Sequence, residues 1–279
     1  SISVDKIANP FSQYGAPVTG DEFIGRTQYL EVMENRIINV THPGNLAIIG
    51  LPRIGKTSLV KEFLRRNSDY LVHNKRIPIF IDISQYHTTN DFFMGLVENA
   101  SRANSGIDSP KFASIVEQIK GTTDTFERNS LINDFYAQYS LLGYNVIYFL
   151  DEFDILCRTC RDSTILQTLR NLISSDYGVK IVTISRRTLS EIEKNIAPGD
   201  HAGSTFAGVF QDLFVGEFNE EDMSEFYKKL SEYDVSLTDT DKNFIIEQCG
   251  AFPLYISGVG FHLIDQKKRN GMIDVSTAV

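Results

Sequence analysis

The sequence predicts an α/β fold: a parallel sheet flanked by helices, followed by a small all-helical subdomain. Three observations predict it. Short apolar runs rich in Ile, Val and Phe alternate with helical patterns from Leu46 to Ile184, as strands covered on both faces do. A glycine-containing octapeptide joins the first of those runs to a helix. After Glu217 the remaining chain reads as helices only.

The elements follow in order. Residues 1–21 read as an extended leader, because Asn9-Pro10-Phe11 and Gly15-Ala16-Pro17-Val18 interrupt any helix. Thr27–Val40 carries apolar residues at helical spacing and stops before His42-Pro43-Gly44. Leu46–Ile49 is a buried strand between Gly44 and Gly50, and a helix follows over Lys56–Arg66. Ile77–Ile83, Asn145–Leu150 and Val179–Ile184 read as further strands, with Leu213–Val215 a weaker one. Helices are expected over 89–103, 109–119, 124–141 and 163–174, then over 219–232, 238–248 and 253–267, where Gly250 and Pro253 mark a break. The organisation is thus a leader at 1–21, an α/β domain at 22–217 and a helical lid at 218–279.

Composition bounds the function. The chain has 279 residues, 42% hydrophobic and 23% charged, which suits a soluble globular protein of one large or two smaller domains. No apolar run approaches the roughly 18 residues a membrane span needs, so no membrane association is expected. A net charge of −9 gives no sign of a basic nucleic-acid face. The basic clusters Arg65-Arg66, Lys75-Arg76 and Lys267-Lys268-Arg269 read as solvated helix ends or loops. The N-terminus has neither a basic n-region nor an apolar h-region, so no secretory signal is expected. Three cysteines argue for a reducing, cytoplasmic setting. Cys157 and Cys160 have CxxC spacing but lack a second pair or a nearby His, so they read as incidental.

Gly50-Leu51-Pro52-Arg53-Ile54-Gly55-Lys56-Thr57 satisfies the phosphate-binding pattern G-x-x-x-x-G-K-[ST], between a strand and a helix as that pattern requires. The loop backbone from Gly50 through Pro52, Arg53, Ile54 and Gly55 to Ser58 is expected to turn its N–H groups towards phosphate oxygens. The positive end of the following helix adds to this. Lys56 is expected to reach the β- and γ-phosphates of ATP or ADP, and Thr57 to ligate Mg²⁺. Val146–Glu152 is an apolar strand ending in two acids. Asp151 there suits water-mediated magnesium binding, and Glu152 suits proton acceptance from an attacking water. Asp154 reads as an exposed helix-start acid. Ser185-Arg186-Arg187 emerges from the next strand and places Ser185 or Arg186 where a γ-phosphate would be sensed. The assigned residues are therefore Lys56, Glu152 and Arg186 for chemistry, with Thr57 and Asp151 for metal.

Together these residues resemble the AAA+/STAND superclass of P-loop ATPases over residues 9–265. Phe23-Ile24-Gly25-Arg26 resembles the F-x-G-R-x-x-E box of STAND, origin-recognition and archaeal AAA proteins, with Tyr29 where that box has glutamate. Gly250-Ala251-Phe252-Pro253 resembles the G-x-P motif of the STAND lid, with one extra residue. The resemblance implies that Phe23, Ile24, Gly25 and Arg26 line an adenine pocket and that Pro253 closes over the base. It also implies a nucleotide-controlled signalling switch with slow ATP hydrolysis and self-association in the ATP state. The winged helix and repeat sensor usual in STAND proteins are not visible. Either further domains lie beyond the chain end, or the family is broader than STAND. The alternatives are a DNA-associated AAA+ ATPase of the origin-recognition or transposition-helper kind, and a small-molecule kinase using the same loop.

Overall fold

The computed structural model describes residues 8–103, 110–159, 164–196 and 205–279. Two compact units are present: one comprises Met33–Ile49 and Asn67–Phe214, the other Ser1–Val32, Gly50–Arg66 and Val215–Val279. The elements in chain order are α1 (Thr27–Ile37), β1 (Asn45–Ile49), α2 (Lys56–His73), β2 (Arg76–Asp82), α3 (Thr89–Ala103), α4 (Pro110–Gly121) and α5 (Thr125–Leu141). They continue with β3 (Asn145–Asp151), α6 (Leu156–Thr159), α7 (Thr164–Ser174), β4 (Val179–Ser185), α8 (Leu189–Ile196), β5 (Phe210–Phe214), α9 (Glu220–Ser231), α10 (Asp239–Cys249), α11 (Pro253–Asn270) and α12 (Val275–Ala278).

The first unit is built on a five-stranded sheet in the order β2-β3-β4-β1-β5, with every neighbouring pair parallel. All five residues of β1 are buried, and β3 and β4 are buried almost throughout. Their unbroken apolar runs therefore mark central strands. The register sets Ile49 beside Ser185 and Leu150 beside Thr183, so β1, β3 and β4 end level at one edge of the sheet. Helix α7 buries Ile165, Leu166, Leu169, Leu172 and Ile173, one helical stripe.

Tyrosines enter this core because their hydroxyls are matched. Tyr136 and Tyr148 share a 2.6 Å hydrogen bond, Tyr148 donates to the carbonyl of Leu96 (2.8 Å), and Tyr139 donates to that of Ala100 (2.8 Å). Burial holds the Tyr148 phenol well above its ordinary range. Arg76, at the head of β2, donates to the carbonyls of Ile37, Ile38 and Val40 and so caps the C-terminus of α1.

The second unit contains the helical lid. Asn219 and Asp222 form a capping box at the start of α9, and Thr238 and Asp241 form another at α10. Helix α10 ends on Gly250 at φ +60°, a conformation that suits glycine, and Pro253 opens α11 at its first turn. Phe226, Leu230, Ile245, Ile256, Leu263 and Ile264 form the lid core.

The leader joins that core and is turned rather than extended. Successive four-residue turns close from Ser12 to Asn9, Tyr14 to Phe11 and Ala16 to Gln13. Phe11 thereby packs its ring 5.5 Å from that of Phe226, and the Asn9 amide donates to the carbonyl of Phe261 (2.9 Å). Pro10 and the Asn9 side chain, which accepts from the Phe11 N–H at 3.0 Å, favour the turn locally.

Further along, the leader is held to α2 within the same unit. The Val18 N–H donates to the Ser58 hydroxyl (3.1 Å), and the Gly20 N–H to the Glu62 carboxylate (2.8 Å). Burial of Glu62 opposes its ionisation, but bonds from Arg65, the Gly20 N–H and Arg66 prevail and pull its pKa from 4.5 down to about 2. A depressed pKa contributes stability above the unfolded value and loses it as pH falls. Stability is expected to drop by about 2 kcal/mol between pH 4.5 and 2, after discounting for the exposed arginines. Melting temperature against pH, compared with Glu62→Gln, checks this: the variant should lose that part of the slope.

Several element limits differ from those expected. Helix α2 runs on to His73, and the weak strand is Phe210–Phe214 rather than Leu213–Val215. As an edge strand β5 is exposed at Gln211, Asp212 and Phe214, which hides its pattern. Helices α6, α8 and α12 were not expected from the sequence. Cys160 lies outside the described residues, while Cys249 is a free cysteine whose thiol is pushed up by burial. No helix among the described residues is long and apolar enough to cross a membrane.

Candidate functional site

The octapeptide forms a loop between β1 and α2, as its spacing requires. A Cβ at Gly50 would sit 2.6 Å from the Val215 carbonyl oxygen, so only glycine fits there. Gly55 has open space around it but a φ of +95°, so its demand is conformational. Arg53 adopts φ +62° with an exposed side chain, and Pro52 is also exposed. Ile54 is buried and anchors the loop. Lys56, the first residue of α2, curls back so that its ammonium donates to the carbonyls of Gly50 (2.8 Å) and Leu51 (2.9 Å). The cation is thus held over the loop at the positive end of an 18-residue helix, a setting suited to an anion. Thr57 and Ser58 lie in the first turn of α2, and Ser58 holds the leader as described.

The Phe23–Arg26 box belongs to the same unit. Phe23 and Ile24 are buried, and Ile24 joins the lid core. Gly25, at φ +59°, lies so close to Asp222 that a Cβ would meet its carboxylate oxygen at 2.2 Å. Arg26 is 3% exposed. Its guanidinium donates to the carbonyls of Gly216 (2.7 Å), Glu217 (3.1 Å) and Ile54 (3.1 Å), and its N–H to Asp222 (2.6 Å). Burial pulls its pKa below the ordinary value and Asp222 opposes that shift. Tyr29, standing where the resembling box has glutamate, accepts from the Gly216 N–H at 3.1 Å. Pro253 is half-buried at the start of α11.

The acidic pair belongs to the sheet unit. Asp151 ends β3, and one of its oxygens accepts from the Glu152 N–H at 2.9 Å. Glu152 stands in the left-handed region at φ 56°, ψ 37°. That costs a non-glycine residue about 1 kcal/mol and is typical of functional positions. Its carboxylate meets the Arg186 guanidinium at 3.2 Å, with both side chains part-exposed.

Asp154, expected as an exposed acid, is 8% exposed and accepts from the Arg186 N–H at 3.4 Å. It faces inward because Glu152 reverses the chain and the following short turn packs Phe153 into the core. The Ser185 hydroxyl donates to the Arg187 carbonyl (2.6 Å), which leaves Arg186 as the cationic side chain reaching Glu152. The structure therefore joins Asp151, Glu152 and Arg186 at the tips of β3 and β4.

Sequence reasoning placed Asp154 in solvent, saw in Tyr29 only a departure from the box, and missed Asp222 and Glu62. The last two had a local signal: Asp222 completes an Asn-x-x-Asp capping box, and Glu62 precedes Arg65 and Arg66 at helical spacing.

Comparison with known proteins adds to this geometry. A family model described as an AAA domain matches residues 38–192, more than half of the chain. Among solved structures, the chain is similar to a Walker-type ATPase of Pyrococcus abyssi, with TM-score 0.65 and 17% identity, covering 96% of this chain and 73% of that one. It is also similar to the ORC1 protein of Aeropyrum pernix in complex with DNA (TM-score 0.56, 15% identity, 96% and 67% covered). The ORC2 protein of Aeropyrum pernix in ADPNP–ADP complexes is comparable (TM-score 0.56, 14% identity, 98% and 70% covered). At these identities the structural likeness shows the fold. No curated protein matches the sequence.

Proposed function

This chain belongs to the AAA domain family, and from that premise we propose that it is a magnesium-dependent ATPase working as a nucleotide-controlled switch that self-associates in the ATP state. The observation that carries the switch is the second unit itself: the phosphate loop folds together with the base of the helical lid, down to the close approach of Gly50 to Val215. What fills the loop can bias the lid only through a difference in contacts between states, and the contacts of the loop with the lid base are where such a difference would act.

The backbone of Gly50–Ser58 and the Lys56 ammonium bind the phosphates. Phe23, Ile24, Gly25 and Pro253 are assigned to the base, by resemblance, while the Arg26 guanidinium is committed to the carbonyls of Gly216, Glu217 and Ile54. The sequence pattern assigns a magnesium ion to the Thr57 hydroxyl, in the first turn of α2, and the Asp151 carboxylate, at the end of β3. Both are hard oxygen ligands. This fits an ion that takes one or two protein ligands and completes its shell with phosphate and water. Magnesium, when bound, supplies neutralisation of phosphate charge. Glu152 accepts the proton of the attacking water, and Arg186 reports the γ-phosphate by exchanging its Glu152 partner for it.

The test is to size the protein by sedimentation velocity in Mg-ADP and, with Glu152→Gln to slow turnover, in Mg-ATP. A larger species with ATP supports the switch; one sedimentation coefficient in both states sinks it. The DNA-associated alternative draws on the DNA complex of the Aeropyrum pernix ORC1 protein, against which stands a net charge of −9. Duplex binding that falls steeply with salt would favour that alternative.

A further inference from the structure

Burying a guanidinium is costly unless its donors are matched, so the partners of Arg26 indicate its purpose. They come from three other stretches of the second unit. Ile54 belongs to the phosphate loop, Gly216 and Glu217 are the residues through which the chain enters the lid, and Asp222 stands in the first turn of the lid helix α9. The rings of Phe218 and Tyr29 lie 4.7 and 5.4 Å from the guanidinium carbon. The backbone at Arg26 is itself left-handed, at φ +63°. A non-glycine residue is kept there only at a cost in strain.

The contact with the loop falls on a telling atom. A peptide unit is planar, so fixing its carbonyl fixes the direction of the next N–H. The oxygen of Ile54, held at 3.1 Å by Nη2 of Arg26, shares its peptide unit with the N–H of Gly55. In the G-x-x-x-x-G-K-[ST] pattern that N–H is one of those turned towards phosphate. The other terminal nitrogen of the same guanidinium holds the Gly216 and Glu217 carbonyls. The rigid planar fork sets its two terminal nitrogens apart, so one serves the loop while the other serves the lid base, a span that the single nitrogen of an ammonium does not offer.

We infer that Arg26 is a positioning residue that couples the phosphate loop to the base of the lid, through the Ile54–Gly55 peptide on one side and Gly216–Glu217 on the other. The inference rests on the nucleotide-switch reading and names its transmitting element. Phosphate drawing on the Gly55 N–H reorients or fixes that peptide, the Ile54 oxygen moves with it, and the guanidinium carries the change to Gly216–Glu217, while the backbone N–H of Arg26 links the same residue to Asp222.

Hydrogen exchange read by mass spectrometry, with and without Mg-ADP, tests this on the full chain. In the unmodified protein, ADP is expected to slow exchange at least tenfold both in Leu51–Thr57 and in Gly216–Asp222. In Arg26→Lys the loop should still be protected, while the effect of ADP on Gly216–Asp222 falls below twofold. If ADP fails to protect the loop in the unmodified protein, the nucleotide reading itself fails. Loop protection without any change at Gly216–Asp222, or an undiminished change there in Arg26→Lys, overturns the coupling alone. Should Arg26→Lys not fold, Asp222→Asn keeps the guanidinium and weakens the Arg26 backbone link to α9, together with the capping contact to Asn219. ADP should then still protect Gly216–Glu217 but lose its effect at Asn219–Asp222, and full retention at Asn219–Asp222 also overturns the coupling.

Discussion

Replacing Lys56 with alanine is expected to weaken ATP and ADP binding by about 2–5 kcal/mol, roughly thirtyfold to several thousandfold. The ammonium stands at the first residue of α2 and donates to the Gly50 and Leu51 carbonyls, so it is already confined to the loop. Bound phosphate gains a preplaced cation without the entropy of ordering a free lysine. The same geometry separates binding from folding. Leu51 is exposed, so water can replace the lost donors, and stability should change by no more than about 1 kcal/mol. Calorimetric titration with ADP and with ATP reads the affinity, and a melting curve reads the fold. Unchanged affinity in the alanine variant would remove this loop from nucleotide binding altogether.

The parts of the fold that the sequence made legible are those whose signal is local. Strands β1, β3 and β4 are buried on both faces and read as unbroken apolar runs. The loop between β1 and α2 is dictated by two glycines, one needed for close approach and one for its φ. Strand β5 was half-legible because an edge position lets Gln211 and Asp212 face solvent. The leader misled because punctuation by Pro and Gly excludes a helix without choosing between extension and turns. What decides for turns is the burial of Phe11 against Phe226, more than 200 residues away.

The same limit governs the site. Arg26 looked like a residue facing a ligand, since its motif alone gives no view of Ile54, Gly216 or Asp222, which reach it from distant stretches. Asp154 looked exposed because nothing local shows that Glu152 turns the chain left-handed and carries Asp154 inward to the β4 tip. Residues whose position is fixed by a strand end, such as Asp151 and Glu152, were legible in place. Residues fixed by long-range packing were not.

Glu152→Gln is expected to lower ATP turnover by roughly 10²- to 10⁴-fold, the range for loss of a positioned general base, while nucleotide affinity stays within about twofold. Glutamine matches the shape of glutamate and tolerates the same left-handed backbone at φ 56°, so the chain reversal after β3 and the inward position of Asp154 should persist. The substitution also removes the charge that Arg186 meets at 3.2 Å. Both partners are part-exposed, and such pairs contribute about 0–1 kcal/mol, so melting temperature should scarcely move. Loss of turnover with intact binding and stability would place the defect in chemistry. Steady-state phosphate release measured beside ADP affinity makes that separation, and undiminished turnover would take Glu152 out of the mechanism. Arg186 would then be left bound to a carboxylate with no catalytic task, and the ion pair at the strand tips would be a fastening between β3 and β4 like that of Asp154 to the Arg186 backbone.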